Sequence, residues 1–588
     1  MRNQSRCSIC IGFIFFGFLT SAYPQNLDNL KDQSPLNISG YVSTNQVLTI
    51  IPNDTLQVGN PYTGFYNGNL NFNVYGVNIP FTFMYSNQKA SYSHPFNQYS
   101  IQPGYKWVRT RLGYTSMTFS PYTLNGHVFL GAGVDADPKG IFKVSAMAGR
   151  LIKKNEYDST NSLQVPAYKR MGYGVKIGFV NNGDHGDIIV FKARDVMDSL
   201  GLPNDLNLTP MENSVVSMVL GKKILPNLSI SGEYSASYLT RDLSSRKNQS
   251  GEKFYKPATW FMNVRQTTTV KHALNANAKL VCPGYSIGIG YERVDPDYTT
   301  LGAYYFTNDF ENIALNFSTN LFKNKLSLAG NAGFQRDNIE NNELNNNIRL
   351  VESINIGFKP DDSKNFSLSY SNFSSYTNVK STFDYINETS PYENWDTLQY
   401  RQVSQSFNYN GSFVLKNSES ENTQSLNTFA MLQLSNNENN GEQNDQSRFY
   451  NAGISHSIKL KEHEINIASS FNFNLNETGN SNSFTWGPGV NISKNFLENT
   501  LSAHLFTSYN RSTMQEYSSS SIINLRAGAA YTLDKKHTFN FNALMQNRMN
   551  NINGNGLKNS NRVYSLTFNY MYNFNLLDLS KKKTIDPE

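Results

Sequence analysis

Three cysteines in 588 residues leave no room for a disulfide framework. Cys7 and Cys10 fall in an apolar leader, so only Cys282 is left once that leader is removed. Charge is scarce too, at 16% of residues, whereas a soluble surface leans on charge. The basic excess is small, with 51 Lys and Arg against 45 Asp and Glu, and removal of Arg2 and Arg6 brings the net charge from +6 to +4. That balance gives no footing for nucleic-acid binding. Long hydrophobic runs are missing beyond the leader, which excludes helical membrane spans of about 20 apolar residues. Helical spacing itself is hard to find.

What the chain has instead is aromatic rings, 35 Tyr and 38 Phe, set among Asn, Ser and Thr. They alternate with the polar residues over long stretches: "LSISGEYSASYL" (228–239), "FSLSYSNFSSY" (366–376), "INIASSFNFNL" (465–475) and "SLTFNYMYNF" (565–574). Successive side chains of a strand point to opposite sides, so each stretch has one apolar and one polar face. The strands run to roughly 10–14 residues against a globular norm of about 5–6. The class is all-β.

The leader has Arg2 and Arg6, then the run "ICIGFIFFGFL" (9–19), then Thr20-Ser21-Ala22. This is the pattern of a secretory signal cleaved near Ala22; the run is too short for a membrane anchor helix. Connectors alternate between short, as at Lys323-Asn324-Lys325 and Asp534-Lys535-Lys536, and long, as at 377–396, 511–521 and 550–561. A transmembrane antiparallel barrel of the outer-membrane kind has short periplasmic turns and long extracellular loops. In such a barrel the aromatic face meets lipid and the Asn/Ser/Thr face lines a wet lumen.

Working back along the turns gives thirteen strands from Ile313 to Phe574, four between Asn213 and Val294, and four between His127 and Arg194. Both chain ends in the periplasm require an even number, so 105–119 supplies another, making 22. The stretch 68–88 is either one more hairpin, giving 24, or a segment folded inside the lumen. The expected layout is a signal at 1–22, a periplasmic, first-strand or lumen-occluding region at 23–104, a barrel at 105–574 and a periplasmic tail at 575–588. Leu566, Phe568, Tyr570, Tyr572 and Phe574 form the outward row of the last strand, which is similar to the C-terminal targeting strand read by outer-membrane assembly machinery. The tail beyond Phe574 departs from that pattern, in which the aromatic is the final residue.

Four blocks, "GNLNFNVYGVNIPFTFMYSNQ" (68–88), "GYKWVRTRLGYTSMTFSPYTLNGHVFLGAGVD" (104–135), "PAYKRMGYGVKIGF" (166–179) and "SASYLTRD" (235–242), resemble recurring blocks of large outer-membrane β-barrel proteins of the Bacteroidota. The resemblance implies architecture and location in the outer membrane; it transfers no activity and no functional residue.

Arg109 and Arg111 share a strand face and are the candidates for lumen charge and anion selectivity, since guanidinium stays charged and pairs bidentately with carboxylate or phosphate. The alternative is that they pair with lumen acids and brace the wall. Asp135 with Asp137, and Asp184 with Asp187, have the oxygen chemistry of calcium ligands, yet neither span matches the calcium loop and Asp and Gly are turn formers. No metal is expected. His127 with Ser120 or Thr123 would need a base and nucleophile within hydrogen-bond reach, and a histidine with ordinary partners is the expectation. Phosphate-loop spacings are absent, so neither a cofactor nor enzymatic activity is expected. Expected partners are outer-membrane lipid, the assembly machinery and envelope proteins. Two functions follow: a porin-like or transport channel, or a non-conducting structural or assembly subunit.

Overall fold

The computed structural model describes residues 36–52, 61–75, 77–87, 97–157, 166–200, 208–247, 262–340, 348–372, 375–378, 386–387, 400–403, 405–416, 422–436, 446–479, 481–514, 518–551 and 558–576. The expected signal peptide and all but the start of the expected tail lie outside these.

The chain is a closed antiparallel barrel of 26 strands. Each wall strand pairs with the next wall strand, Lys364–Ser371 with Gln405–Lys416 past a separate small ladder of Ser375–Asn378 and Tyr400–Val403. Asn37–Ile50 closes the ring by pairing with Lys558–Leu576, from Ile38 opposite Leu576 to Ile50 opposite Tyr564. One wall position is shared by two short strands, Gln98–Ile101 and Gly104–Tyr105, which both bridge Val77–Ser86 and Val108–Thr118. Closure removes the sheet edges that would otherwise pair with other chains. No helix among the described residues is long and apolar enough to cross a membrane, a statement that does not bear on strands.

The strands expected from His127 onward are found in the expected groups: four from Asn125–Ala136 to Asp184–Asp195, four from Glu212–Leu225 to Tyr285–Val294, and thirteen from Phe310–Leu321 to Lys558–Leu576. The count of 22–24 is corrected to 26. The stretch expected as a hairpin or a lumen segment forms the wall hairpin Tyr62–Val74 and Val77–Ser86, and two further wall positions come from Asn37–Ile50 and the pair Gln98–Ile101 and Gly104–Tyr105. The first described wall strand is thus Asn37–Ile50, so of the alternatives for 23–104 its described part supplies first strands, ahead of the barrel start expected at 105. The alternation of Asn37–Ile50 is blurred, because its outward row of Ile38, Val42, Leu48 and Ile50 is interrupted by Gly40, Thr44 and Gln46 while Tyr41 and Val47 fall in the inward row, and the fourth position is broken at Gln102 and Pro103.

The turns at one rim are tight. Asn182 and Gly183 form a two-residue hairpin loop between the paired Asn181 and Asp184, with φ of 49° and 95°. Both central residues need positive φ in the turn that matches strand twist, which is why Asn-Gly sits there. The other rim carries most of the long connectors. The stretch 511–521 is an exception, since Leu501–Met514 and Ser518–Leu533 take up most of it.

Facing follows the alternation. Leu566 and Phe568 are each 40% exposed on the outside, whereas Ser565 is 1% exposed on the inside. Ile188, Met218, Leu220, Ile289, Ile313 and Leu315 likewise project outward. The exterior is thus an apolar belt and the interior is polar, the inverse of a soluble protein.

Candidate functional site

The lumen is the candidate site, and its wall is uneven. Going round from Lys364–Ser371 through the closing seam to Gly104–Tyr105, the only carboxylate on a described strand residue is Glu477, which lies beside Arg448 on the outer face. The inward residues there are chiefly Asn, Ser and Thr. At the seam Asn569 donates to Asn45, and Asn540 Nδ2 donates to Asn569 Oδ1 at 3.1 Å, so three strands are joined by a row of amides. Further along, Asn510 Nδ2 and Asn524 Nδ2 each donate to Asn387 Oδ1 at 2.8 Å, and Gln546 Nε2 donates to the Asn387 carbonyl at 3.0 Å. Asn387 belongs to the connector between Lys364–Ser371 and Gln405–Lys416. Three amides of adjacent strands thereby hold it against the inner wall.

The remaining wall is charged. Arg111 pairs with Asp135, which also accepts from Ser145 Oγ at 2.6 Å. Lys143 pairs with Asp137 at 2.9 Å, and Lys176 with Asp187 at 2.8 Å. Arg170 forks onto Asp195 through Nε at 2.8 Å and Nη2 at 3.0 Å, a bidentate geometry that fixes both groups. Arg109 lines the same recess as Asp135, Asp137, Lys143, Lys176 and Asp187, with no ion-pair partner among the described residues. The structure thus brings Arg111 together with an acid of the adjacent strand and leaves Arg109 exposed to the lumen.

The four aspartates weighed as calcium ligands have other partners. Asp135, Asp137 and Asp187 face cations, and Asp184 accepts from the Lys223 amide at 2.9 Å. No cluster of three or more metal-ligating side chains occurs among the described residues. His127 stacks on Tyr304 with ring centroids 4.2 Å apart, and its Nδ1 lies 2.8 Å from the Val128 carbonyl. Ser120 Oγ and Thr123 Oγ1 lie 2.8 Å from each other.

Two connectors of the long-loop rim fold inward over this charged half. One is Phe119–Leu124; the other spans Asp295 to Asp309. Tyr298 donates its hydroxyl to the Tyr122 carbonyl at 2.9 Å, Thr300 Oγ1 to the Thr123 carbonyl at 2.6 Å, and the Asn125 amide to the Gly302 carbonyl at 2.9 Å. The wall grips the second connector through Asn213 Nδ2 and Ser237 Oγ, both donating to the Thr299 carbonyl, and through Asn213 Oδ1, which accepts from the Leu301 amide.

Beneath them lies an apolar cluster built from inward residues of the wall, including Met117, Phe129, Met147, Ile189 and Phe191, capped by Phe119, Leu124 and Leu301. Phe119 fits because Gly174 has no side chain: a Cβ there would stand 2.6 Å from Phe119 Cε2. Tyr122 donates to Glu292 Oε1 at 2.6 Å and packs edge-on against Tyr298 and Phe306. Burial, then the nearby Glu292 carboxylate, push the Tyr122 phenol well above its usual range; burial and Glu233 do the same for Tyr298. Both phenols stay neutral donors.

This insert leaves little trace in the strand alternation. Phe119, Tyr122, Leu124 and Tyr298 sit in connectors that read as ordinary loops. The available signal was an aromatic-rich connector, "DPDYTTLGAYYFTND" (295–309), in place of the Asn-rich kind.

Against known proteins, no family model matches, and no curated protein matches. Among solved structures the chain is similar to the ferric citrate transporter FecA in unliganded form, at 8% identity and a TM-score of 0.37, over 91% of this chain and 79% of that one. It is also similar to BauA, the ferric preacinetobactin receptor from Acinetobacter baumannii, at 8% identity and 0.34, over 91% and 80%. A third is OccAB2 of Acinetobacter baumannii, at 8% identity and 0.26, over 67% and 99%.

Proposed function

We propose that the chain is an outer-membrane β-barrel whose polar lumen passes or guides solutes. The observation that carries this is the inversion of faces: Leu566 and Phe568 point out of the ring while Ser565 and Thr567 point in, and the same holds round the wall. An apolar exterior of this extent is stable only against lipid, and a ring of 26 strands exceeds the 22-stranded barrels that hold a plug. The resemblance of residues 68–242 to barrels of the Bacteroidota supports the same location. On this reading the tight-turn rim is periplasmic, the surrounding partner is lipid, and the last strand engages the assembly machinery. No catalytic role is assigned, since His127 is engaged with Tyr304 and Val128.

A second reading is favoured by the inward connectors: a non-conducting structural or assembly subunit, with its lumen closed by its own chain or by an envelope partner. Single-channel recording in planar bilayers separates the two. Stable open-state current supports transport; silence from correctly folded protein, with a co-purifying envelope protein, supports the subunit.

A further inference from the structure

Nearer the tight-turn rim than the insert, the charged half of the wall holds a recess of about 480 Å³. Ser231, Asn277, Lys279, Ser286, Asn316 and Ser318 bring hydroxyls, amides and one ammonium to it, and no carboxylate lines it. The volume falls in the range of small-molecule sites, about 300–1,000 Å³.

Gly288 and Gly330 line it, and Gly290 adjoins it. Gly290 lies opposite Asn277 on the adjacent strand, and a Cβ at Gly290 would stand 2.8 Å from Asn277 Oδ1 and 3.6 Å from Asn316 Nδ2. Amides from both flanking strands therefore lean over the same bare backbone. Gly288 continues the hollow toward Lys279, its neighbour across the ladder. Ser286 Oγ and Ser318 Oγ lie 2.8 Å apart, so the pair keeps one hydroxyl hydrogen to offer. The cations quoted above, apart from Arg109, stand against a carboxylate, whereas the other polar side chains lining the recess of Lys279 are hydroxyls and amides.

We infer that this recess binds a small carboxylated sugar. Hydroxyls and amides that both donate and accept match the ring hydroxyls, and Lys279 supplies the one charge-assisted contact, to the carboxylate. A cationic solute finds no counter-charge there. The inference deepens the reading of the lumen as a solute path and rests on it for its biological sense.

The test is calorimetric titration of the detergent-purified barrel with glucuronate and with glucose, which needs no conductance. The expected result is glucuronate binding at least about tenfold tighter than glucose, as one charge-assisted hydrogen bond provides. Lys279→Gln is expected to remove that preference, and Asn277→Ala to weaken both sugars, with barrel folding checked by the shift in gel mobility on heating. Glucuronate binding no tighter than glucose, no binding of either, or Lys279→Gln binding as the parent does, would each overturn the site. Binding by a silent barrel would count against transport alone, and conduction without binding against the recess alone.

Discussion

The hydroxyl of Tyr298 reaches the backbone carbonyl of Tyr122 at 2.9 Å across 176 positions of chain, joining two connectors inside the lumen. Both rings are buried, and Phe306 packs against each of them. The contact makes the two connectors one insert anchored to wall strands on either side.

If the insert narrows the path, removing it widens the path. Replacing residues 296–308 by a short Gly-Ser linker is expected to raise single-channel conductance, with the heat-dependent gel shift of the barrel preserved. The milder Tyr298→Phe removes one hydrogen bond, worth about 1 kcal/mol net. It is expected to raise the rate of proteolytic cutting within the connector several-fold at unchanged barrel stability.

Gly174 is the space that Phe119 occupies. Gly174→Val places a branched side chain where a Cβ alone would come within 2.6 Å of the ring. Overpacking of this kind costs about 1–3 kcal/mol, and Phe119→Ala in the same chain is expected to restore most of it. Thermal denaturation of the single and double variants measures the coupling.

The insert has a pH signature. Its two phenols have folded pKa values raised above the unfolded value of about 10. Their stabilisation is fully present below about pH 10 and is lost as pH rises through the higher folded values, because the released phenols ionise first. Proteolytic resistance of the 295–309 connector is expected to be flat from neutral pH to about 9.5 and to fall beyond about 10.5.

At the seam, Asn569 bridges Asn45 and Asn540. Asn569→Leu leaves both partners without it while the backbone ladder persists, so the expected cost is modest, about 1–2 kcal/mol. The readout is a lower temperature for the heat-dependent gel shift, with Asn540→Ala adding little in the double variant.

Much of the architecture is legible because alternation is a local property. Strands such as Ile465–Thr478 and Lys558–Leu576 carry one apolar and one polar face over their length, and the short turns between strands are read from residues such as Asp534 and Lys535. Asn37–Ile50 is harder to read because Gly40, Thr44 and Gln46 interrupt its outward apolar row; what fixes it is pairing with a strand more than 500 residues away, which no local window contains. The site was less legible for the same reason. Arg111 could be placed on the lumen face, but its pairing with Asp135 depends on the register of two strands, and the insert depends on contacts such as Thr300 to Thr123 across 177 positions.

The central claim is that the aromatic rows touch lipid. Nitroxide labels on single cysteines replacing Leu566, Phe568, Ser565 and Thr567, in a Cys282→Ser background reconstituted in bilayers, test it directly. The account predicts that labels at 566 and 568 relax with molecular oxygen and resist a water-soluble nickel chelate, and that labels at 565 and 567 do not share the oxygen response. Labels at 566 and 568 that respond to the nickel chelate as strongly as an exposed loop would contradict it.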